Sequence, residues 1–409
     1  MKTAINVEKR IKRHVLGRTG SFYVSTLPGM EHLCVEELKS VGISTKNVLL
    51  SKGGLDFTGR IHECFLANLH LRMANRILMR IGTFSATNFR QLEKKLAGLP
   101  WELYLHIGTY CKINVTSRHS RLFHSGAIED RIRASIKDRW GHIHDDLEKK
   151  QDIIRFPQQL FVRAVNDRFT VSIDSSGDML YKRGLKVQGG KAPIRETTAA
   201  IIFALAGYHI GEPLIDPMCG TGTFSLEGAM IANHIPAGWY RDFAFMGWPC
   251  FKPSRWKHIR REAKARITRL SKPVIFASDK NQQNCHALET VIRQNDLSET
   301  ISVCVKDFFD LLPLEIKELA KPAHRGLLTI NPPYGRRLET KNYSEKMFIE
   351  ICKKLKKDFK GWKVALISPG KHLVKKVPFK VTTHDLFHGG LHLTLLTGRI
   401  PGRITEKIK

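Results

Sequence analysis

The second half of the chain alternates short apolar runs with amphipathic stretches, which is the pattern of a parallel α/β sheet. Five runs, each bounded by glycine or polar residues, are candidate strands: residues 213–216, 274–278, 302–305, 326–330 and 363–367. Two further runs, 379–383 and 392–397, follow without a clear helix between them. We therefore predict an α/β fold with a doubly wound, seven-stranded, mostly parallel sheet and an antiparallel hairpin at one edge.

The first half of the chain shows shorter periodic segments, typical of small α+β units. The first unit has a strand at residues 22–24 and a helix over residues 61–80. Between them lies a helix that carries Leu33, Val35, Leu38 and Val41, most of them on one face. A second unit carries a helix over residues 127–140. It also has two alternating runs around Asn166-Asp167, which predict a hairpin.

Changes in composition and in the pattern of hydrophobic and polar positions divide the chain into five segments. The first 19 residues are rich in Lys and Arg and predict a flexible basic arm. The segments are the arm (1–19), an α+β region (20–82), a second α+β region (83–176), a Gly- and Lys-rich linker (177–191) and the sheet domain (192–403).

Charge indicates the kind of partner. The chain holds 67 Lys and Arg against 38 Asp and Glu, a formal net charge of +29. Such an excess predicts a polyanionic partner, first a nucleic acid and second an anionic membrane surface. Residues 252–272 concentrate the excess on one amphipathic stretch, which predicts a helix with a basic outer face; that face fits phosphate binding and ordinary solvation equally well.

Cysteine spacing and hydropathy indicate the cellular location of the protein and whether it binds a metal. None of the eight cysteines forms a C-x-x-C pair, and none clusters with His at zinc spacing. We therefore expect reduced thiols and no metal site. The basic start lacks the apolar core of a secretory signal, and the longest apolar run is too short to cross a bilayer. We expect a soluble, cytoplasmic protein, most simply a monomer.

Three acids follow three successive predicted strands. Asp216 ends the first, and the glycine turn with Gly220 and Gly222 leads from it into a helix, where free backbone N–H groups face a ligand. Asp279 ends the second strand and can accept hydrogen bonds from both hydroxyls of a ribose. Asp307 follows the third. It can accept from an adenine amine, while Phe308 covers the base.

A dinucleotide site is the alternative for this turn. It normally has a third glycine and an acid about 20 residues later. Residue 225 is Ser instead, and Asp279 comes much later in the chain. NAD is therefore disfavoured but stays open from these residues alone.

The segment NPPYG at residues 331–335 indicates the reaction class. The Asn331 side-chain oxygen and the Pro332 carbonyl can together accept both hydrogens of an exocyclic amine. Holding both N–H bonds turns the nitrogen lone pair toward an electrophile, so alignment and electrostatics lower the barrier. Tyr334 can stack on an extruded base. We infer catalysis on the amino group of a nucleic-acid base.

These motifs resemble a known family. DPMCGTGT at 216–223, SD at 278–279 and NPPYG resemble class I, Rossmann-like methyltransferases that act on guanine N2 in RNA, most of all the bacterial 23S ribosomal RNA large-subunit group. Residues 25–31, 175–184 and 192–197 are similar to that family's N-terminal half. The resemblance covers roughly residues 20–403. It implies a ferredoxin-like region at 20–82 and an RNA-binding THUMP domain at 83–176.

The resemblance also implies the cofactor and the roles. S-adenosyl-L-methionine would contact Asp216, Gly220, Gly222, Asp279, Asp307 and Phe308, and Asn331, Pro332 and Tyr334 would be catalytic. Relatives often carry an acid after NPPYG, where this chain has Arg336. Fused relatives have a second methyltransferase domain that this sequence lacks, so we expect one modification activity.

Three alternatives stay open at this point. The substrate could be a tRNA guanine or a DNA adenine N6, since NPPY serves both kinds of amine. The chain could instead be a non-catalytic RNA-binding ribosome assembly factor with a relic methyltransferase fold. The intact Asp216, Asp279 and Asn331 favour the enzyme.

Overall fold

A computed structural model describes residues 2–140, 156–185, 194–313, 325–333, 341–388 and 391–402. The chain forms two compact units. Unit 1 consists of Met1–Leu180 and Ala237–Glu262, and unit 2 of Tyr181–Pro236 and Ala263–Lys409. A segment from the second half of the sequence therefore folds with the first half, which the pattern of strands and helices did not predict.

Unit 1 is built on one seven-stranded sheet in the order β2-β3-β1-β4-β7-β6-β5. Its strands are β1 (Gly20–Ser25), β2 (Leu49–Ser51), β3 (Gly54–Gly59), β4 (Arg76–Ser85), β5 (Cys111–Arg118), β6 (Gln158–Val165) and β7 (Arg168–Asp174). All neighbours are antiparallel except β5 and β6. Its helices are α1 (Lys2–Ile11), α2 (Glu31–Ser40), α3 (Ile61–His70), α4 (Phe89–Ala97) and α5 (Ser125–Trp140). Helix α8 (Pro253–Arg266) belongs to unit 1 as far as Glu262.

The N-terminal residues differ from the predicted flexible arm. Lys2–Ile11 is helical, and a π-helical turn over Lys12–Leu16 extends it. Ile11 and Val15 lie four residues apart and are both buried, so one side of this helix has an apolar contact face. Arg10 also donates a hydrogen bond to Glu102. The apolar face and the hydrogen bond of Arg10 hold this helix, and the basic composition of the segment gave no sign of either contact.

The predicted helix over residues 61–80 is wrong in its second half. Helix α3 ends at His70, and residues from Arg76 onward form the inner strand β4. The apolar run in β4 is buried, with β1 on one side and β7 on the other, and such a run has no periodicity that separates helix from strand. The boundary predicted at residue 82 therefore falls inside β4, which joins both α+β regions into one sheet.

The hairpin predicted around Asn166-Asp167 is confirmed. Both residues have positive φ, 51° and 60°, as the two central residues of a type I′ turn require. The Asp167 carboxylate accepts a hydrogen bond of 2.7 Å from the Arg121 backbone N–H, which fixes the neighbouring loop.

Unit 2 contains the predicted methyltransferase-type sheet, in the order β10-β9-β8-β11-β12-β14-β13. Its strands are β8 (Leu214–Asp216), β9 (Ile275–Asp279), β10 (Ile301–Val305), β11 (Leu327–Ile330), β12 (Lys363–Ser368), β13 (Val381–His388) and β14 (Leu391–Arg399). The first five are parallel, and β14 pairs antiparallel with both β12 and β13. The predicted fold class is confirmed.

Helices cover this sheet: α6 (Glu196–Leu205), α7 (Thr223–Ala232), α9 (Gln282–Gln294) and α10 (Lys341–Asp358). On one side, Ile215, Leu328 and Val364 of the central strands pack with Phe348 and Leu355 of α10 in one core cluster. The central strands are buried throughout, which is why they are continuous apolar runs in the sequence.

Two glycines give opposite expectations for the same substitution. A Cβ at Gly326 would lie 1.8 Å from the carbonyl oxygen of Pro213, where β8 and β11 begin to pair. Gly326→Ala should therefore lower stability by about 1–3 kcal/mol. Gly126 in α5 has open space around it, so Gly126→Ala should raise stability by up to about 1 kcal/mol. Thermal denaturation of both variants tests the packing of β8 against β11, and equal melting temperatures would contradict it.

Candidate active site

The order of the strands brings the predicted site residues to one edge. Strands β10, β9, β8 and β11 are consecutive neighbours and all parallel. Asp307 follows β10, Asp279 ends β9, Asp216 ends β8 and Asn331 follows β11. After β8 the chain adds β9 and β10 on one side of that strand, and it then adds β11 and β12 on the other side. The four residues therefore lie around the point where the order of the strands reverses. Open α/β sheets bind ligands at such a point.

Asp216 is more enclosed than a surface ligand contact would be. Only 1% of it is exposed, and its Oδ2 accepts hydrogen bonds from the backbone N–H (3.2 Å) and hydroxyl (2.7 Å) of Ser225. Part of its function is thus to cap the N-terminus of α7. Its Oδ1 is buried and has no hydrogen-bond partner among the described residues. A buried acceptor without a donor is a site for an incoming N–H or O–H group.

Burial also changes the titration of this carboxyl. Desolvation raises the pKa of Asp216 to about 7; the hydrogen bonds from Ser225 oppose the shift, and the negative charge of Asp279 adds to it. The ionised form of Asp216 is therefore unfavourable near neutral pH unless a cation lies close to it.

The glycine turn is shaped for close approach. Gly220 has φ of 52° and Gly222 has φ of 80°, conformations that side chains rarely adopt. A Cβ at Gly222 would lie 2.3 Å from Leu288 Cδ1, so glycine is required there for packing. Around Gly220 the position of a Cβ is open, with no described atom within 4 Å. The turn therefore leaves free space beside its backbone.

Asp279 holds this turn in place. Its Oδ2 accepts from the Gly220 N–H at 2.9 Å, and its Oδ1 accepts from the Asn281 N–H at 2.8 Å. The N-cap of α9 is Asn281, whose side chain accepts from the Gln283 N–H. Each carboxylate oxygen has two acceptor lone pairs, so Asp279 retains capacity for two hydroxyl donors.

The Asp307 region differs in part from the prediction. Asp307 is half-buried and accepts a hydrogen bond from the Phe309 N–H at 2.9 Å. Phe308, predicted to cover a base, is only 1% exposed and packs in the core beside Phe359. Phe309 is 42% exposed and is the aromatic ring on the open side. The two adjacent Phe residues are equivalent in the sequence, and the short 3₁₀ turn after Asp307 decides which of them turns inward.

The catalytic motif is described only at its start. Asn331 is half-buried, Pro332 is buried and Pro333 is exposed. The Thr329 hydroxyl donates to the Ile215 carbonyl at 3.4 Å, tying the end of β11 to β8 beside Asp216. Tyr334 and Arg336 lie outside the described residues.

Residue patterns did not reveal two supporting groups. Ser225 satisfies one oxygen of Asp216, and its only sequence signal is its place in the first turn of α7. Arg183 and Glu227 form a fully buried bidentate pair, with N···O distances of 3.0 and 3.1 Å. The pair fixes the chain before α6 to α7, the helix that follows the glycine turn. Such a pair joins residues far apart in sequence and leaves no local pattern.

Two further features concern the described residues only. Within them, no group of three or more His, Cys, Asp or Glu side chains is placed to hold a metal ion. Among the same residues, none of the helices has the length and apolar character needed to cross a membrane.

The raised pKa of Asp216 predicts a pH dependence of stability. Between about pH 4 and about pH 7, the folded state keeps a proton that the unfolded chain releases, so this group makes the wild type less stable as the pH rises. Asp216→Asn removes that contribution. The stability of the variant relative to the wild type should therefore increase from pH 4 to 7 and then level off. Denaturant unfolding across this range measures it, and parallel profiles would contradict the raised pKa.

Comparisons with known proteins identify two domains in this chain. Residues 183–385 match the model of the RMKL-like methyltransferase domain, and residues 21–78 match the RlmL ferredoxin-like domain. A ribosomal RNA large subunit methyltransferase K/L from Syntrophotalea carbinolica is 28% identical over 387 residues, 92% of this chain and 53% of the relative. The chain thus spans about half the length of that relative. The protein slr0064 of Synechocystis, provisionally described as an RNA methyltransferase, is 27% identical over 92% of this chain and 96% of its own length.

A solved structure agrees with the match to a methyltransferase domain. SMU.472, provisionally described as a methyltransferase and crystallised with S-adenosylhomocysteine (SAH), has a TM-score of 0.81 at 25% identity and covers 95% of this chain and 99% of its own. The prediction of a ferredoxin-like domain in the N-terminal half is confirmed, and the four strand ends fall within the matched methyltransferase domain. The chain therefore carries an RMKL-like methyltransferase domain and, in its N-terminal half, an RlmL ferredoxin-like domain.

Proposed function

We propose that this protein methylates the exocyclic N2 amine of a guanine in RNA, with 23S ribosomal RNA as the substrate. The observation that carries the proposal is the placement of Asn331 directly beside the strand end with the buried, half-satisfied Asp216. One side of the site is thus suited to a cationic cofactor, and the adjacent side to an amine.

The cofactor is S-adenosyl-L-methionine, and the residues present fit it. The unpaired Oδ1 of Asp216 can accept from its ammonium group, and the positive charge offsets the unfavourable ionisation of this carboxyl. The open space at Gly220 allows close approach of the methionine part. Asp279 can accept from the two ribose hydroxyls, and the side chain of Asp307 from the adenine amine.

The protein contributes alignment rather than a strong base. When bound, S-adenosylmethionine supplies an electrophilic methyl group next to a positively charged sulfur. The Asn331 oxygen and the Pro332 carbonyl accept the two N–H hydrogens of the target amine, so that its lone pair is free to attack. Transfer of the methyl group would form a nitrogen–carbon bond as the sulfur–carbon bond breaks, and one proton would then leave the nitrogen to solvent. Tyr334 stacks on the base in this proposal.

A nucleic acid is favoured by charge, and RNA is favoured over DNA by the relatives. The net charge of +29 suits either polyanion. The K/L relative is named for ribosomal RNA and slr0064 for RNA. We further propose that residues 83–176 are a THUMP domain that holds folded RNA while unit 2 takes the base. RNA-modifying enzymes of this kind bind unstacked bases within a recognised shape.

Product analysis tests this function. The purified protein is incubated with methyl-deuterated S-adenosylmethionine and, separately, 23S ribosomal RNA, transfer RNA and DNA. Nucleosides from each digest are then separated by liquid chromatography and identified by mass spectrometry. We expect deuterated N2-methylguanosine from the ribosomal RNA. Asn331→Ala should lower turnover by about 100- to 1,000-fold, because one positioned hydrogen-bond partner is lost. Its Kd for S-adenosylmethionine should stay within about twofold of the wild type.

Asn331→Asp is the matched variant, since it keeps an acceptor oxygen at the same place. It should retain more turnover than Asn331→Ala. N2-methylguanosine in transfer RNA, or N6-methyladenine in DNA, would replace the proposed substrate with an alternative. Cofactor binding without any methylated product would favour the non-catalytic assembly factor. Wild-type turnover in Asn331→Ala would remove the assigned role of that residue.

A further inference from the structure

Ala237–Glu262, the main part of the segment between α7 and β9, folds with unit 1. Within unit 1, the Gly238 N–H donates to the Leu69 carbonyl at 2.8 Å, and the Phe245 N–H donates to the Ser175 carbonyl at 3.1 Å. The Arg241 guanidinium donates to the carbonyls of residues 176, 178 and 179. The segment is therefore held at defined positions over much of its length.

Helix α8 ends this segment and is anchored by aromatic packing. The Trp256 ring meets the rings of Phe243 and Phe245 edge-on, with centroids 5.8 and 5.3 Å apart, and Phe245 stacks on Phe65 at 4.2 Å. Ile259 is buried on the same side of the helix. These contacts fix the orientation of α8 on unit 1, so its opposite side is also fixed.

One flank of α8 outside this contact is entirely cationic. Lys257, Arg260 and Arg261 are three and four residues apart, which makes them neighbours on the helix surface. Lys257 and Arg261 are exposed. The Arg260 guanidinium lies over the Trp239 ring, 4.2 Å from its centroid, and donates to the Trp239 carbonyl at 3.2 Å. We call these three residues the α8 cationic flank.

No acid neutralises this flank within the described residues. None of its three members forms a salt bridge there, and Glu262, the nearest acid on the helix, pairs with His258 at 3.4 Å. Asp242 lies close enough to act on the charge of Arg260 but forms no ion pair with it. Helix α10 of unit 2 is different, because its Lys353 and Lys354 pair with Glu350 and Asp358.

The positive charges on α8 lower the stability of this helix when no polyanion is bound. Like charges three or four residues apart destabilise a helix by about 0.2–0.5 kcal/mol per pair. The first turn contains Arg255 and no acid, which is unfavourable at the positive end of the helix dipole. Within the described part of the chain, no ion pair offsets the repulsion between Lys257 and Arg261. A polyanion lying along the flank would offset this repulsion, whereas ordinary solvation would not require such an arrangement.

We propose that the α8 cationic flank binds the phosphate backbone of the RNA substrate. This inference rests on the proposed function, because it takes RNA as the partner. The flank extends the RNA-binding surface of unit 1 with residues encoded between two strands of the methyltransferase sheet. Arg260, fixed on Trp239, provides one pre-oriented cation, and Lys257 and Arg261 provide two adjustable ones.

The test compares two double variants of equal charge. Lys257→Gln/Arg261→Gln removes the two exposed cations of the flank, and Lys353→Gln/Lys357→Gln removes two cations at the same spacing on α10. Binding to a 23S ribosomal RNA transcript is measured at several salt concentrations. The α8 variant should bind at least about tenfold more weakly at low salt, and its slope of log K against log salt should be smaller by about 1.5–2. The α10 variant should bind within about twofold of the wild type.

Stability gives a second readout of opposite sign. The α8 variant should melt at the same temperature as the wild type or higher, because a repulsive pair is lost. A charge-retaining swap, Lys257→Arg/Arg261→Lys, should keep wild-type RNA affinity. Unchanged affinity and salt slope in the α8 variant, or an equal loss in the α10 variant, would overturn the inference. Failure of the wild type to methylate any RNA counts against the proposed function instead, since the binding and salt-slope measurements do not depend on methylation.

Discussion

The parallel pairing of β8 with β9 on one side and β11 on the other is the constraint on which the site depends. This arrangement makes β8 the point from which the sheet extends in both directions, and it aligns the carboxyl ends of four consecutive strands. The three acids and Asn331 are distant in sequence and become neighbours only through this pairing. The backbone hydrogen bond from Leu327 to the Pro213 carbonyl and the Thr329–Ile215 hydrogen bond maintain it from both ends of β11.

The acids at this edge serve structure and function together. Asp216 caps α7 with one oxygen and leaves the other unpaired. Asp279 holds the Gly220 backbone while keeping acceptor capacity. The glycine turn is therefore pre-organised before a ligand arrives, which lowers the entropy lost on binding. The carboxylate of the buried Asp216 is poorly solvated, so a positively charged group beside it would stabilise its ionised form.

Much of this could be predicted from the sequence, for identifiable reasons. Central parallel strands are buried on both faces, so β8, β9 and β11 were visible as apolar runs ended by Asp or Asn. Other features depend on contacts between distant residues. The choice of Phe308 rather than Phe309 for the core, the extension of the N-terminal residues as a helix, and the end of α3 before β4 are decided by packing partners elsewhere in the chain. The return of Ala237–Glu262 to unit 1 has no local signal, because an amphipathic helix shows that it has a partner but not which one.

A crystal structure of the protein with SAH tests the central claim most directly. The account predicts the ribose hydroxyls within about 3 Å of the Asp279 carboxylate, the amino group within the same distance of Asp216 Oδ1, and the Asn331 side chain facing the sulfur across the space for the target amine. SAH bound away from these strand ends, or Asn331 turned away from the sulfur, would contradict it.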